Sequence, residues 1–208
     1  MKKHIVTIIR ILFLGLFIIL LAKGRIMLWL GLFGASLVAA LLFGRVYCGY
    51  VCPMNTLMVP AEWISKKLKF QTSRTPRWLN NVYFSWIFLV FSVGTMLVFK
   101  RRLGINLPIL PLWLVISIFV TLRYKPQVFH NLICPFGVLQ RIFGRLARWS
   151  KKVDPKVCTG CKRCEKSCPS GAIAVIGEDK KAAIDPALCH QCTDCQQVCS
   201  VDAIYVGK

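Results

Sequence analysis

Long apolar runs alternate with short basic segments through the N-terminal part of the chain. Four apolar runs are present, at residues 5–22, 26–43, 82–99 and 107–122. Each approaches the ~20 residues that a helix needs to cross a hydrocarbon core of ~30 Å. Only Lys-Gly-Arg joins the first two runs, and Lys-Arg-Arg-Leu-Gly-Ile-Asn joins the last two. Such short links predict two helical hairpins.

The residues that follow each hairpin repeat at an offset of 82 positions. The matches are Cys52-Pro53 with Cys134-Pro135, Leu57 with Leu139, and Cys48 with His130. Two hairpins of the same orientation would be related by an axis along the membrane normal. This symmetry predicts that both Cys-Pro motifs lie at one membrane face.

An amphipathic segment follows each Cys-Pro motif. The second is the clearer one, because basic residues occupy the helical face opposite its apolar residues. The apolar face contains Leu139, Ile142, Phe143, Leu146 and Trp149. This pattern predicts a helix that lies in the membrane interface, and residues 57–70 form a weaker version after the first motif.

Composition places the chain in the membrane class. Of its 208 residues 56% are hydrophobic, and its mean hydropathy is +0.57. The net charge of +20 is uneven, since residues 1–153 contain 21 lysines and arginines but a single acid, Glu62. Because this charge lies between apolar runs, it is expected to contact lipid headgroups, and nucleic-acid binding is not predicted.

The basic residues also predict the orientation of the spans. The N-terminal lysines, six basic residues within 45–77 and the chain beyond Arg123 share one side, while residues 23–25 and 100–102 face the other. The positive-inside rule then gives a multi-pass protein of the cytoplasmic membrane with both termini in the cytoplasm. Arg10, inside the first run, is expected to extend to the headgroups.

Eight of the eleven cysteines form two C-x2-C-x2-C-x3-C runs, within a sequence that repeats at an offset of 31. Bacterial ferredoxins hold two 4Fe-4S clusters with such runs, and the fourth cysteine of each run binds the other cluster. The predicted ligands are Cys158, Cys161, Cys164 and Cys199 for the first cluster, and Cys189, Cys192, Cys195 and Cys168 for the second. Structural zinc is the alternative, although zinc sites usually show two separated C-x2-C pairs. His190 is expected to be an exposed loop residue.

Three further cysteines, Cys48, Cys52 and Cys134, lie at the cytoplasmic ends of the second and fourth predicted spans. Lone cysteines in membrane helices are usually inert, but these recur within the repeated motifs. Pro53 and Pro135 suit the first position of a helix, whose dipole would stabilise the thiolates. We therefore predict a metal site at this face.

The stretches GRVYCGYVCP and HNLICPFG, followed by a two-cluster ferredoxin run, resemble the membrane polyferredoxins. This family includes NapH-type subunits of periplasmic nitrate reductase systems and the cytoplasmic half of NosR-type proteins. The resemblance covers nearly the whole chain and implies a subunit of a quinol-linked or respiratory complex. The family carries C-x3-C-P twice, whereas His130 replaces the first cysteine of the second motif here.

His130 has two interpretations. With Cys48, Cys52 and Cys134 it would complete a third iron or iron–sulfur centre, since histidine replaces cysteine on iron in Rieske centres. Alternatively, it packs at the helix end and bonds a backbone carbonyl or a lipid phosphate.

Glu62 also has two interpretations, and they bear on whether a quinone binds. A carboxylate at the membrane edge can accept the protons of a quinol. It can equally form an ion pair with Lys66, four residues along the same helix.

The sequence therefore predicts a mainly α membrane protein, with four transmembrane helices as two hairpin repeats over residues 1–153. A small α+β two-cluster ferredoxin domain follows over residues 154–208. The predicted function is electron transfer between the quinone pool or a membrane subunit and a redox partner subunit or soluble carrier. No catalytic residue is predicted. The alternative is an accessory or sensory ferredoxin that reports redox state or reduces a metal during oxidoreductase assembly.

Overall fold

A computed structural model describes residues 2–72, 81, 83–104, 108–177 and 180–207. The chain divides into two compact units, one of residues 1–53 and 140–208, and one of residues 54–139. Val82 and Leu107, where two of the predicted apolar runs begin, lie outside the described residues, as does the end of the basic segment at Arg77.

Two apolar helices open the first unit, α1 (Lys2–Ala22) and α2 (Ile26–Phe43). Gly24 in the link between them has a φ of +67°, a left-handed conformation that glycine adopts without steric cost. Phe17 packs edge-on against Trp29, with ring centroids 5.1 Å apart. The indole N–H of Trp29 donates a buried hydrogen bond to Tyr47 Oη at 2.9 Å. These contacts hold α1, α2 and the turn after them together.

The chain forms the same turn before each Cys-Pro motif. Two five-residue π-helical turns, π1 (Tyr47–Val51) and π2 (Phe129–Ile133), begin 82 positions apart. The next residue is extended in both, with φ and ψ of −65° and 119° at Cys52 and −63° and 115° at Cys134. A helix then begins at each proline, α3 (Pro53–Lys67) and α7 (Pro135–Gly144). The predicted helix starts are thus confirmed. Proline suits this position because it lacks the N–H group that the first turn of a helix leaves without a partner.

The second unit contains most of α3, the start of α7, the turn π2 and three further helices. These are α4 (Tyr83–Leu103), α5 (Ile109–Arg123) and the short α6 (Pro126–Val128). Small hydroxyl side chains bond groups on neighbouring elements, as is common between helices in apolar surroundings. Three such bonds join Ser65 Oγ to the Leu122 carbonyl at 2.5 Å, Ser85 Oγ to the Asn131 carbonyl at 3.5 Å, and Trp113 Nε1 to Ser92 Oγ at 2.9 Å.

Within the described residues, three helices are long and apolar enough to cross a membrane, namely His4–Ala22, Ile26–Phe43 and Tyr83–Arg102. Large apolar side chains on them are exposed, as at Leu12 (67%) and Val90 (70%), which suits surfaces that contact lipid. Helix α5 is apolar but has 15 residues. At 1.5 Å per residue it extends about 22 Å, less than a hydrocarbon core. The fourth span stays a prediction.

The amphipathic helix after the second motif is shorter than predicted. Helix α7 ends at Gly144, and the chain turns before strand β1 (Ser150–Val153). The prediction that Leu146 and Trp149 continue the helical face is wrong. The Trp149 N–H donates instead to the Leu42 carbonyl at 2.8 Å, and β1 pairs with a distant strand. Tertiary hydrogen bonds thus override helical periodicity.

The two 31-residue sequence repeats fold in the same way. Short helices carry the third cysteine of each run, α8 (Arg163–Ser167) and α9 (Asp194–Gln197). Two antiparallel pairs complete the segment, β1 with β4 (Ile204–Gly207), and β2 (Ile173–Ile176) with β3 (Lys181–Ile184). The first strand of this segment therefore begins at Ser150, ahead of the domain boundary predicted at residue 154.

We expect Gly160→Ala to destabilise the ferredoxin segment more than Gly177→Ala. Both glycines have a positive φ, +70° and +82°, so alanine is strained at each by roughly 1 kcal/mol. A Cβ on Gly160 would also overlap the backbone oxygen of Lys180, whereas one on Gly177 would meet nothing within 4 Å. The thermal stability of both variants can be measured in the full chain in detergent, as the temperature at which the cluster absorbance is lost. Equal losses of thermal stability would contradict this prediction.

Candidate functional site

The four cysteines assigned to the first cluster line one cavity. Cys158, Cys161, Cys164 and Cys199 lie in its wall among apolar residues. The cavity has a volume of about 360 Å³, including its opening to solvent. Cys161 is exposed, while Cys158 and Cys164 are buried. The fold thus brings this predicted set together.

Two of the four cysteines assigned to the second cluster share a core. Cys168 packs against the buried cluster that contains Cys195. Cys189, Cys192 and Cys195 are buried. Burial is the largest effect on these three, and it raises the pKa of Cys195 from 9.0 to about 12. Fourfold thiolate coordination would offset this cost of ionisation.

Backbone N–H groups point at the sulfur atoms. Lys162 and Thr193 have φ values of 61° and 69° at equivalent positions of the two runs, where they turn the chain sharply before the third cysteine. Hydrogen bonds to cluster sulfurs are among the features that tune a bound iron–sulfur group, so these residues fit two 4Fe-4S clusters. The donors and acceptors are Ala172 N to Cys168 Sγ at 3.3 Å, Ala203 N to Cys199 Sγ at 3.3 Å, and Gln191 N to Cys189 Sγ at 3.4 Å.

In the first unit, the turn π1 buries Cys48 beside a fully buried arginine. Arg45 Nη2 lies 3.8 Å from Cys48 Sγ, and Cys52 is also buried. The Arg10 Nε–H donates to the Gly49 carbonyl at 2.7 Å. That Arg10 extends to the headgroups stays a prediction. Its guanidinium bonds a carbonyl of the π-helical turn, where the ordinary helical bonding pattern is broken.

In the second unit, the turn π2 buries His130 and Cys134. His130 Nε2 lies 3.2 Å from Asn55 Oδ1, and both side chains are buried. Since the amide oxygen only accepts, Nε2 donates in this hydrogen bond. Asn55 was not predicted as a site residue, because its place near the start of α3 is the one signal that the sequence carries for it. Among the described residues, no three Cys, His, Asp or Glu side chains form a group that could hold a single metal ion.

His190 departs most from its predicted environment. It was expected to be exposed, but its exposed fraction is 1%, so that prediction is wrong. Its carbonyl oxygen lies so close to Gly49 that a Cβ there would overlap it. The next residue, Gln191, accepts a hydrogen bond through its carbonyl from Tyr50 Oη at 2.9 Å. Because the bonded residues are 141 positions apart, sequence patterns gave no signal of this packing.

Glu62 forms the ion pair that was its second interpretation. Its Oε1 lies 2.7 Å from Lys66 Nζ on the same helix. Because the lysine is largely exposed, such a pair contributes only about 0.3–0.5 kcal/mol.

Two family models match the chain, and between them they cover all the motifs described above. A 4Fe-4S binding domain matches residues 26–71 and 106–153, which contain both Cys-Pro motifs. A 4Fe-4S dicluster domain matches residues 150–200, which contain both cysteine runs.

Several relatives align over most of the chain. An uncharacterized protein of Methanocaldococcus jannaschii is 31% identical over 64% of this chain and 55% of its own length. The ferredoxin-type protein NapH of Haemophilus influenzae is 29% identical over 69% of this chain and 55% of its own. The methylamine utilization ferredoxin-type protein MauN of Paracoccus denitrificans is 27% identical over 64% and 50%. The chain thus spans about half the length of these relatives. No solved structure matches it.

We expect the cluster-free ferredoxin segment to lose stability as the pH rises above about 8.5, the usual pKa of an unfolded thiol. The folded pKa of Cys195 is about 12, so in this range the native state binds more protons than the unfolded state. The free energy of unfolding is therefore largest below the pKa of the unfolded thiol, and it falls as the pH rises towards the pKa of the folded one.

Limited proteolysis of the cluster-free and cluster-loaded chains, from about pH 7 to pH 10, measures this effect. Iron-bound thiolates do not titrate, so the loaded form serves as the control. The same pH dependence in both forms would contradict the prediction.

Proposed function

Because the chain belongs to the NapH-type family of ferredoxin-type membrane polyferredoxins, we propose that it carries electrons between the membrane and a redox partner. It is a 4Fe-4S electron-transfer protein, and its three apolar helices suit a membrane protein. We propose the quinone pool or a membrane subunit on one side of the transfer, and a partner subunit or soluble carrier on the other.

The observation that supports this function most is the presence of two complete sets of four cysteines in one small segment. We propose that Cys158, Cys161, Cys164 and Cys199 hold the first cluster, and that Cys189, Cys192, Cys195 and Cys168 hold the second. When bound, 4Fe-4S clusters supply one-electron redox chemistry. The protein buries most of the sulfur atoms and directs backbone N–H groups at three of them, which excludes water and stabilises their negative charge.

We further propose a third iron or iron–sulfur centre that uses Cys48, Cys52, Cys134 and His130. The support is that π1 and π2 have the same backbone, so that Cys48 and His130 occupy equivalent positions, as do Cys52 and Cys134. All four are residue types that bind iron in proteins. The hydrogen bond from His130 Nε2 to Asn55 adds to it, because ligating histidines typically donate their other ring N–H to an oxygen. Nδ1 would then be the ligating atom, with Asn55 as the positioning residue.

The membrane placement in this proposal is multi-pass, with both termini and the ferredoxin segment in the cytoplasm. Its support is the excess of basic residues on that side of the predicted spans. Lipid would then surround the exposed apolar faces of α1, α2 and α4. A quinone is proposed as the mobile donor or acceptor, although Glu62 is paired with Lys66 and need not take its protons.

In proteoliposomes, we expect a lipid-soluble quinol to reduce the ferredoxin clusters of the full chain. Bleaching of the visible absorbance and EPR measure this reduction. The physical reason is that electrons must enter from the membrane for the fused membrane and ferredoxin segments to act as one relay. A low-potential soluble donor serves as the control that the clusters are reducible. If quinol leaves the clusters oxidised, while the soluble donor reduces them and the reduced clusters pass their electrons to a metal ion, the accessory role replaces the relay.

We expect His130→Ala to lower the iron content from above about eight per chain to about eight, the content of two cubanes. His130→Cys should retain the additional iron at a lower reduction potential, because imidazole ligands raise the potential relative to thiolate. Iron and sulfide analysis with EPR measures both variants, and His4→Ala is the matched control. Unchanged iron and spectra in His130→Ala would exclude His130 as a ligand.

A further inference from the structure

The membrane turn π1 and the loop of residues 189–192 meet backbone to backbone within the first unit. Gly49 has no side chain, and its α-carbon faces the carbonyl of His190 so closely that a Cβ would overlap that oxygen. Gly49 lies within the π-helical turn and has no positive φ, so the close approach, not the backbone conformation, explains the glycine at this position. Glycine is the residue that permits such an approach between two backbones.

Further contacts surround this approach. Tyr50 Oη donates to the Gln191 carbonyl at 2.9 Å. At Gly44, a Cβ would lie 3.3 Å from Gln191 Nε2, so the Gln191 side chain packs over this glycine. Both loop residues are buried, with His190 at 1% and Gln191 at 9% exposure. The loop between two ligands of the second set is thus covered by the membrane turn.

Positive charge is buried at the same place. Arg45 is fully buried, and its Nη2 lies 3.8 Å from Cys48 Sγ in the turn π1. Buried cations favour negative charge on nearby sulfur atoms.

The two cysteine sets differ in their access to solvent. Cys161 and Cys192 are equivalent positions of the 31-residue repeat, yet Cys161 is exposed and Cys192 is 8% exposed. The cavity of the first set opens to solvent, whereas the loop of the second set lies beneath π1. The duplicated ferredoxin segment therefore has one covered end and one open end.

We propose that π1 and residues 189–192 form the junction where electrons pass between the membrane segment and the ferredoxin segment, with the second cysteine set on the membrane side. This inference rests on the proposed electron-transfer function. In the reducing direction, a quinol oxidised to quinone releases two protons to water and two electrons, one for each of the two clusters. The role of Gly49 and Tyr50 is to hold the ferredoxin loop against the turn, and the first set faces the soluble side.

The test compares Gly49→Ala with Gly34→Ala in the full, iron-loaded chain. A Cβ at Gly34 meets nothing within 4 Å, so this variant controls for adding a methyl group to the membrane segment. Hydrogen exchange measures the docking of the ferredoxin loop against π1 independently of electron transfer. Gly49→Ala should speed exchange at the amides of residues 190–192. Quinol reduction of the clusters should slow by about tenfold or more, while reduction by dithionite should not change.

Tyr50→Phe removes one hydrogen bond without a clash, and it should cause a smaller change in the same direction in both measurements. If Gly49→Ala loses its iron, Tyr50→Phe decides the outcome. Exchange and quinol reduction equal to the Gly34→Ala control in both variants would overturn the junction. If quinol fails to reduce even the wild-type chain, the proposed function fails, and hydrogen exchange still tests the docking of the loop.

Discussion

Sulfur atoms form much of the core of the ferredoxin segment, and the fold of this segment depends on what those atoms bind. Cys158, Cys164 and Cys195 share a buried cluster with Ile173 and Ile204, and two more cysteines pack against it. A segment this short buries little apolar surface, so such domains commonly rely on a metal or on cross-links. Ionising its buried thiols is unfavourable unless iron compensates, which couples folding to cluster binding.

Duplication organises the chain at two scales, and each scale has its own structural consequence. At the offset of 31, the copies exchange backbone hydrogen bonds, from Asp154 to Ala203 and from Asp185 to Ala172, both 2.8 Å long. Each copy is therefore completed by the other. At the offset of 82, the copies share a π-helical turn, an extended cysteine and a helix that begins at proline. The local backbone is preserved even where the residue type differs, as between Cys48 and His130.

The differences between equivalent positions distinguish the two ends of the protein. Cys192 is covered while Cys161 is exposed, because the turn π1 lies on the loop before Cys192. Cys48 adjoins a buried arginine, whereas His130 at the matching position bonds Asn55. The two duplications give the chain its repeated framework, and these departures from symmetry give equivalent positions different surroundings.

The sequence by itself determined the cysteine spacings, the helix starts at Pro53 and Pro135, and three of the apolar spans. These features follow from the chemistry of neighbouring residues, such as ligand spacing, the missing N–H of proline, and run length. The cysteine pattern, which is that of bacterial two-cluster ferredoxins, also predicts both ligand sets, and these stay predictions.

Only the tertiary structure decided the burial of His190, the hydrogen bond of Arg10 to Gly49, and the end of α7. Each of these depends on a partner far along the chain, as with Tyr50 and Gln191, 141 positions apart. A periodic pattern describes which face of an element is apolar, but not which distant backbone it meets. Packing against that backbone fixed the environment of these residues.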